Sequence, residues 1–298
     1  MKAPVFKIFC IMASLLMFGC TRSPEYIGEG GSEKIGGFTV NWSYDASGAE
    51  KAVARDILSN MIYVEGDIFF MGATGEQVPY ARSNEYPQML VAVSDFYMCR
   101  FEVSNEQFKT LIPYSLDDFS GDYDNLNLFL IRLNEVCGLH FDFPTEAQWE
   151  FAARGGRQSK GYIYPGSDDL EEVRSLSKAE GSRVPNELGF YNMADLRAEM
   201  CKDYFEEYEQ STAILEDRLI ISGSGRVVRG GCYKCDGKNA DYLKSKFKDA
   251  PYGYFEVDKN SYDSNIDERY CRVSARSSRA SLFNYDLVGL RPVINMAR

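Results

Sequence analysis

The string "PTEAQWEFAARGG", Pro144 to Gly156, constrains the fold more than any other part of this 298-residue chain. Thr145 is a good N-cap, because its hydroxyl can accept an orphan amide of the first helical turn, and Glu146 suits the positive end of that helix. Gly155 and Gly156 stop it. Between those signals only a short helix fits, and Trp149 and Phe151 on it are large enough to anchor a core.

The flanking segments read as short elements of mixed type. "FTVNW" is a short strand, and Gly48 to Met61 has apolar residues at helical spacing. "MIYVEGDIFFMG" alternates around Gly66 as a hairpin does, and "LVAVSDFYMCRFEVS" reads as a further strand pair. "NEQFKTLI" begins a helix capped by Ser104 or Asn105, and "DNLNLFLIRLNEVCG" is another that ends at Gly138. Long stretches without periodicity follow Gly156, and there is no internal repeat. Few helices among scattered strands define an irregular α+β fold.

The N-terminus speaks to the compartment. Lys2 and Lys7 precede the uncharged run "IFCIMASLLMFG", which is laid out like a secretory signal and is too short to span a bilayer comfortably. It stops at Cys20, and "LMFG" before that cysteine resembles a bacterial lipobox. A lipid on Cys20 would hold the mature chain to a membrane, firmly when two or more acyl chains are present. Thr21 carries no obvious retention signal, so the outer membrane is the expected destination. Residues 1–19 are therefore read as a signal peptide and 20–37, rich in Gly, Ser and charge, as a flexible tether. Residues 38–60 form a strand-and-helix extension, and 61–298 are the main domain. Loss of the signal takes the net charge from −11 to about −13, an acidic balance that repels phosphate backbones and argues against a nucleic-acid partner.

Cysteine and histidine usage narrows the chemistry. Beyond Cys10 and Cys20 the chain holds Cys99, Cys137, Cys201, Cys232, Cys235 and Cys271. An exported chain can pair them, but six cysteines permit about fifteen connectivities and the sequence dictates none. Cys232 and Cys235 form a C-x-x-C that reads as a redox centre, half a metal site or two thiols without chemistry. Three residues apart on an extended strand they project to opposite faces, so no mutual disulfide is expected. The single histidine, His140, excludes His-rich metal sites and is expected to be packed or hydrogen-bonded. Arg154, Arg229, Arg272, Arg276 and Arg291 sit in apolar strings, where guanidinium forks bind carboxylates or carbonyls and lock loops.

Taken in order, "MIYVEGDIFFMG", "EYP", "EVSNEQF", "FPTEAQWEFAARGG", "PNELGFYNM", "RVVRGG", "RVSAR" and "VGLRPV" resemble the formylglycine-generating enzyme, or sulfatase-modifying factor, family. The resemblance runs from about Met61 to Ile294 and implies a decorated relative of the C-type lectin fold. It also implies an oxidase that converts a cysteine of a client sulfatase to formylglycine, using O2 and two thiolates that hold copper(I), soft ligands for a soft ion. Cys235 matches the first of those thiols, with Cys232 in the place of a serine of the family. The second thiol falls in frame at Glu268, and Cys271 is close but out of frame. An acidic, Tyr-rich insertion, about 236–268, separates the two blocks and is expected to cover the substrate groove.

The resemblance further implies a calcium ion held by the side chains of Asn192 and Glu199 with backbone carbonyls between them, oxygen donors of the kind calcium requires. Here "GFYNMADLRAEMC" departs from the family's "GLYDMxGNVWEW" while retaining those two positions. Asp95 and Glu102 are further acids without an assigned place. Two classes of function remain: a catalytically silent envelope lipoprotein that binds protein or glycan or serves in assembly, and a formylglycine-generating oxidase with rearranged thiols drawn from Cys232, Cys235 and Cys271.

Overall fold

Ile35-Gly36-Gly37-Phe38 turns the chain back on itself in a two-residue hairpin, with φ of +55° and +90° at the glycines. Such a turn needs positive φ at its central positions, which glycine supplies without steric cost. It joins β1 (Ser32–Ile35) to β2 (Phe38–Asn41). The stretch read as a tether to Gly37 is thus in a strand from Ser32, because the glycines that look like spacer chemistry are turn chemistry. The computed structural model describes residues 31–78, 80–113, 122–173, 184–194, 197–231, 268–278 and 288–296.

Helix α1 (Gly48–Ser59) opens on a capping box in which Glu50 N donates to Ser47 Oγ at 3.2 Å and Ser47 N to Glu50 Oε2 at 2.7 Å. After it come β3 (Met61–Val64), β4 (Ile68–Met71), β5 (Met89–Ala92) and β6 (Phe96–Cys99). Neither expected strand pair forms as read. β3 pairs with β6, and β4 with β5, in two different sheets. The corner 65–67 carries the chain between sheets beside the corner 93–95, where Val93 N donates to Asp67 O at 3.0 Å and Gly66 N to Asp95 Oδ1 at 2.8 Å. Alternation shows which side chains face inward, not which strand lies alongside.

Ser104 is the N-cap of α2 (Asn105–Leu111). Asp122 caps α3 (Tyr123–Cys137), which ends where Gly138 takes a left-handed φ of +69°. The chain then runs through β7 (Phe141–Asp142), α4 (Glu146–Ala153), α5 (Leu170–Val173), β8 (Ala198–Tyr204), β9 (Leu215–Glu216), β10 (Arg226–Arg229), β11 (Arg276–Ser278), β12 (Val288–Gly289) and β13 (Val293–Asn295). The longer sheets have the orders β3-β6-β13-β7, β4-β5-β9 and β11-β10-β8-β12. The architecture is α+β with few helices and short strands, as the sequence leads one to expect.

Two apolar cores result. One gathers Ile57 and Leu58 of α1, Phe108 of α2 and Leu126, Phe129 and Leu133 of α3 with Val40 and Trp42, so residues 38–60 pack into the same core as α2 and α3. The other surrounds Trp149 and Phe151 of α4 with Val91, Phe96, Phe190, Val227 and Val293, as expected of the two aromatic anchors. His140 is exposed, so of the two expectations for it, packed or hydrogen-bonded, the first does not hold. It lies just before β7, where its neighbour Phe141 is the residue that enters the core.

Phe129 is fully buried and stacks on Phe108 at 5.6 Å between centroids. Phe129→Ala leaves a cavity there and is expected to lower stability by about 3–5 kcal/mol, measured by denaturant unfolding of the mature chain.

Candidate functional site

Helix α4 carries the densest polar chemistry of the fold into its interior. Thr145 and Gln148 close a reciprocal capping box, with Gln148 N donating to Thr145 Oγ1 at 3.1 Å and Thr145 N to Gln148 Oε1 at 2.9 Å. That start aims Glu146 and Glu150, both fully buried, at the strands below. Arg229 of β10 donates from Nη2 to Glu150 Oε2 and lies 2.8 Å from Glu146 Oε1. Arg276 of β11 grips Glu146 through Nε at 2.7 Å and Nη2 at 2.9 Å. Tyr208 Oη accepts from Arg229 Nη2 at 2.9 Å. Arg154 donates to Glu150 Oε1 at 2.8 Å and to Gly72 O at 2.6 Å.

Burial opposes the charge on Glu146, but Arg276 and Arg229 outweigh it and hold the carboxyl at about 2. Asp203 of β8 accepts from Glu146 N at 2.8 Å and from Ile220 N at 3.0 Å. Burial and the neighbouring Glu146 charge push Asp203 up to about 6.

A second lock joins the turn Ser83–Glu85 to the turn between Cys271 and β11. Arg272 Nη2 and Nη1 meet Glu85 at 2.6 and 2.9 Å, and Ser274 Oγ donates to the same carboxylate at 2.6 Å. The five arginines singled out from the sequence therefore all hold carboxylates, carbonyls or both, as expected. Their partners Glu85 and Glu150 were missed, as was Asp203, which takes the Glu146 and Ile220 amides. Only the i,i+4 spacing of Glu146 and Glu150 within "EAQWE" hints at one of them.

The third lock is at the position read as a calcium loop. Glu199, fully buried on β8, accepts from Trp149 Nε1 at 2.7 Å and from Arg291 through Nε, at 3.0 and 2.8 Å, and Nη2, at 2.5 Å. Gly230, at φ +78°, allows this packing: a Cβ there would lie 2.7 Å from Trp149 Cζ2 and from Met193 O. Asn192 is buried at a left-handed φ of +64°, a conformation asparagine tolerates. The described donors do not fit calcium. Both Glu199 oxygens are engaged, and an ion at calcium–oxygen distance would sit about 4–5 Å from a guanidinium. A dication and a unit charge so placed repel by about 7–8 kcal/mol at an effective dielectric of about 20. Among the described residues no group of three or more His, Cys, Asp or Glu side chains is placed to hold a metal ion.

Of the candidate thiols, Cys232 and Cys235 lie outside the described residues, as do the insertion up to residue 267 and Cys20 with its signal. Cys271 is buried and disulfide-bonded. Its partner is none of Cys99, Cys137 or Cys201, which are free and buried. Burial raises Cys99 and Cys137 to about 11 and Cys201 well above the usual thiol value, so none of these three supplies a thiolate at neutral pH. Glu268, at the frame position of the second copper ligand, begins the turn Glu268–Tyr270. Of the unassigned acids, Asp95 accepts from Tyr63 Oη at 2.5 Å, and Glu102 is buried.

The comparisons with known proteins agree with this architecture. The profile of the sulfatase-modifying factor enzyme 1-like domain matches residues 119–296, more than half of the chain. The chain belongs to that family. It is similar to the serine/threonine-protein kinase Pkn1 of Chlamydia trachomatis, with 25% identity over 225 residues, 62% of this chain. It spans 35% of that kinase's length. It is also similar to the chaperone protein LppX of Paenibacillus barcinonensis, with 23% identity over 219 residues, 51% of this chain and 74% of that one. Among solved structures, Treponema denticola variable protein 1 shares the fold at a TM-score of 0.55 and 18% identity, covering 89% of this chain and 99% of that one.

Two outcomes are expected. A raised carboxyl pKa means that the fold holds a proton more tightly than the unfolded chain does. Stability therefore rises as pH falls through about 6, and the Asp203 contribution is complete near the unfolded value of about 4. Between pH 7 and 5 the gain is about 1–1.5 kcal/mol, read from denaturant midpoints, and Asp203→Asn flattens the profile. The opposite contribution of Glu146, depressed to about 2, is lost only in the more acidic window below about 4. In the second test, non-reducing peptide mapping of the mature protein is expected to join Cys271 to Cys235; a Cys232–Cys235 link contradicts that pairing.

Proposed function

We propose that this domain is a catalytically silent member of the family, held on the cell envelope by lipid on Cys20 and used to bind a protein partner. The observation that carries the reading is the disulfide at Cys271, which withholds the thiolate that an oxidase using Cys271 beside Cys235 needs. In frame, the second copper ligand is replaced by Glu268, and the described free thiols are buried with raised pKa values. Copper(I) binding requires two accessible thiolates.

A protein rather than a glycan partner is favoured by two observations. The relative LppX is named a chaperone protein. The sheet β4-β5-β9 turns Met71 and Val91 into the core while Ile68 and Phe70, 48% and 56% exposed, lie opposite Ala92 and Leu90 on its outer face. Adjacent exposed apolar side chains of this size suit burial against another protein. Among the described residues no helix is long and apolar enough to cross a membrane. Attachment is assigned to the lipid on Cys20 on the lipobox-like "LMFG" before it, with the outer membrane as destination.

The experiment has two arms. The mature protein is incubated with copper(I), O2 and a sulfatase-derived cysteine peptide, and aldehyde is sought by mass; none is expected, and aldehyde formation restores the oxidase. A photo-crosslinking residue in place of Phe70, in the native envelope, is expected to yield a protein adduct that Ile68→Asp weakens about tenfold or more. Adducts to glycan alone reassign the partner class.

A further inference from the structure

The family resemblance assigns a metal ion between Asn192 and Glu199, and the described donors there do not fit one. We propose that Arg291 is the resident cation of this loop: its guanidinium does the tying that calcium would do, and the domain is calcium-independent. The arrangement accounts for every polar hydrogen of the side chain. A guanidinium has five N–H donors in a fixed fork. Here Nε donates to the Glu199 carboxylate at 3.0 and 2.8 Å. Nη2 donates to Glu199 Oε1 at 2.5 Å and to Tyr191 O at 2.9 Å. Nη1 donates to Cys99 O at 3.0 Å and Arg100 O at 2.7 Å.

These acceptors are what a bound cation would collect: one carboxylate and three backbone carbonyls. Tyr191 O and the Glu199 carboxylate belong to the two ends of the loop, so the fork closes it as a shared ion would. Cys99 O and Arg100 O belong to the end of β6, so the same fork also docks the loop on the neighbouring sheet. Tyr191 N donates to Arg100 O at 3.2 Å, a backbone bond that keeps the two segments in register around the fork. The remaining lone pair of Glu199 Oε2 is taken by Trp149 Nε1 at 2.7 Å. Arg291 is fully buried and stays charged at any working pH, whereas calcium occupancy depends on its supply.

A protein cation held by covalent geometry changes what the envelope environment can do to the domain. Chelation has nothing to remove, and the loop beside β10 stays closed whatever the external calcium. The inference concerns the loop and not the partner, so it stands or falls apart from the proposed function.

The test uses the mature chain, stripped with EGTA and melted with and without about 5 mM calcium chloride. Midpoints within about 1 °C of each other are expected; a rise above about 3 °C with calcium overturns the proposal. Terbium emission sensitised through Trp149, which already touches Glu199, is expected to be absent, and saturable emission that Glu199→Gln abolishes overturns it as well. Arg291→Lys keeps the charge but loses the fork, and its midpoint is expected to fall by several degrees. An unchanged midpoint in that variant shows that the fork does not hold the loop and also overturns the proposal.

Discussion

The buried cluster of Glu146 and Glu150 with Arg229 and Arg276 is the constraint on which the rest of the structure depends. It joins α4 to β10 and β11, and Arg154 extends it to Gly72 beyond β4. Each carboxylate here is fully buried, and a lone buried charge is costly. Removing one partner of a buried pair costs about 3–5 kcal/mol because the other is left uncompensated. The members are thus mutually required, and the elements that bear them have little freedom to move apart. Such a cluster gives specificity of arrangement more than net stability, since well-packed apolar residues of similar volume could do as well energetically.

Three separate locks, at Glu146–Glu150, Glu85 and Glu199, use arginine in the same way. Each of them is made of arginine and glutamate side chains, with no cysteine side chain among the described contacts. The scaffold is therefore independent of the thiol chemistry that the family resemblance implies, and catalysis can be lost without loss of the fold. This separation of scaffold from site is general, since activity resides in a small set of side chains grafted on a fold. Here Cys271, close to the frame of the second copper ligand, is committed to a disulfide, and the Glu199 carboxylate is held by Arg291.

The exposed face of β4 and β5 stands apart from this economy of buried charge. Ile68 and Phe70 occupy positions that a solvated sheet face fills with polar residues, and their cross-strand neighbours Ala92 and Leu90 are also apolar. Beneath this face, Arg154 ties Gly72, the residue after β4, to the buried Glu150.

The sequence by itself determined the local elements. Thr145 and Ser104 cap where cap chemistry predicts, Gly138 ends α3, and Trp149 and Phe151 enter a core. It also marked the five arginines as locks, because a guanidinium in an apolar string must find an acceptor. It did not reveal which acceptor, since Arg272 reaches Glu85 across 187 positions and Arg291 reaches Glu199 across 92. Strand pairing was illegible for the same reason. "MIYVEGDIFFMG" reads as a hairpin from alternation, yet its halves enter different sheets, and only the corner at 93–95 alongside decides that. Glu199 shows the division most clearly: the sequence placed an acid in a metal-binding frame, and tertiary structure gave that acid to Arg291. A residue's type and spacing determine what it can bind, but a buried charge is settled by whichever opposite charge the fold brings within reach.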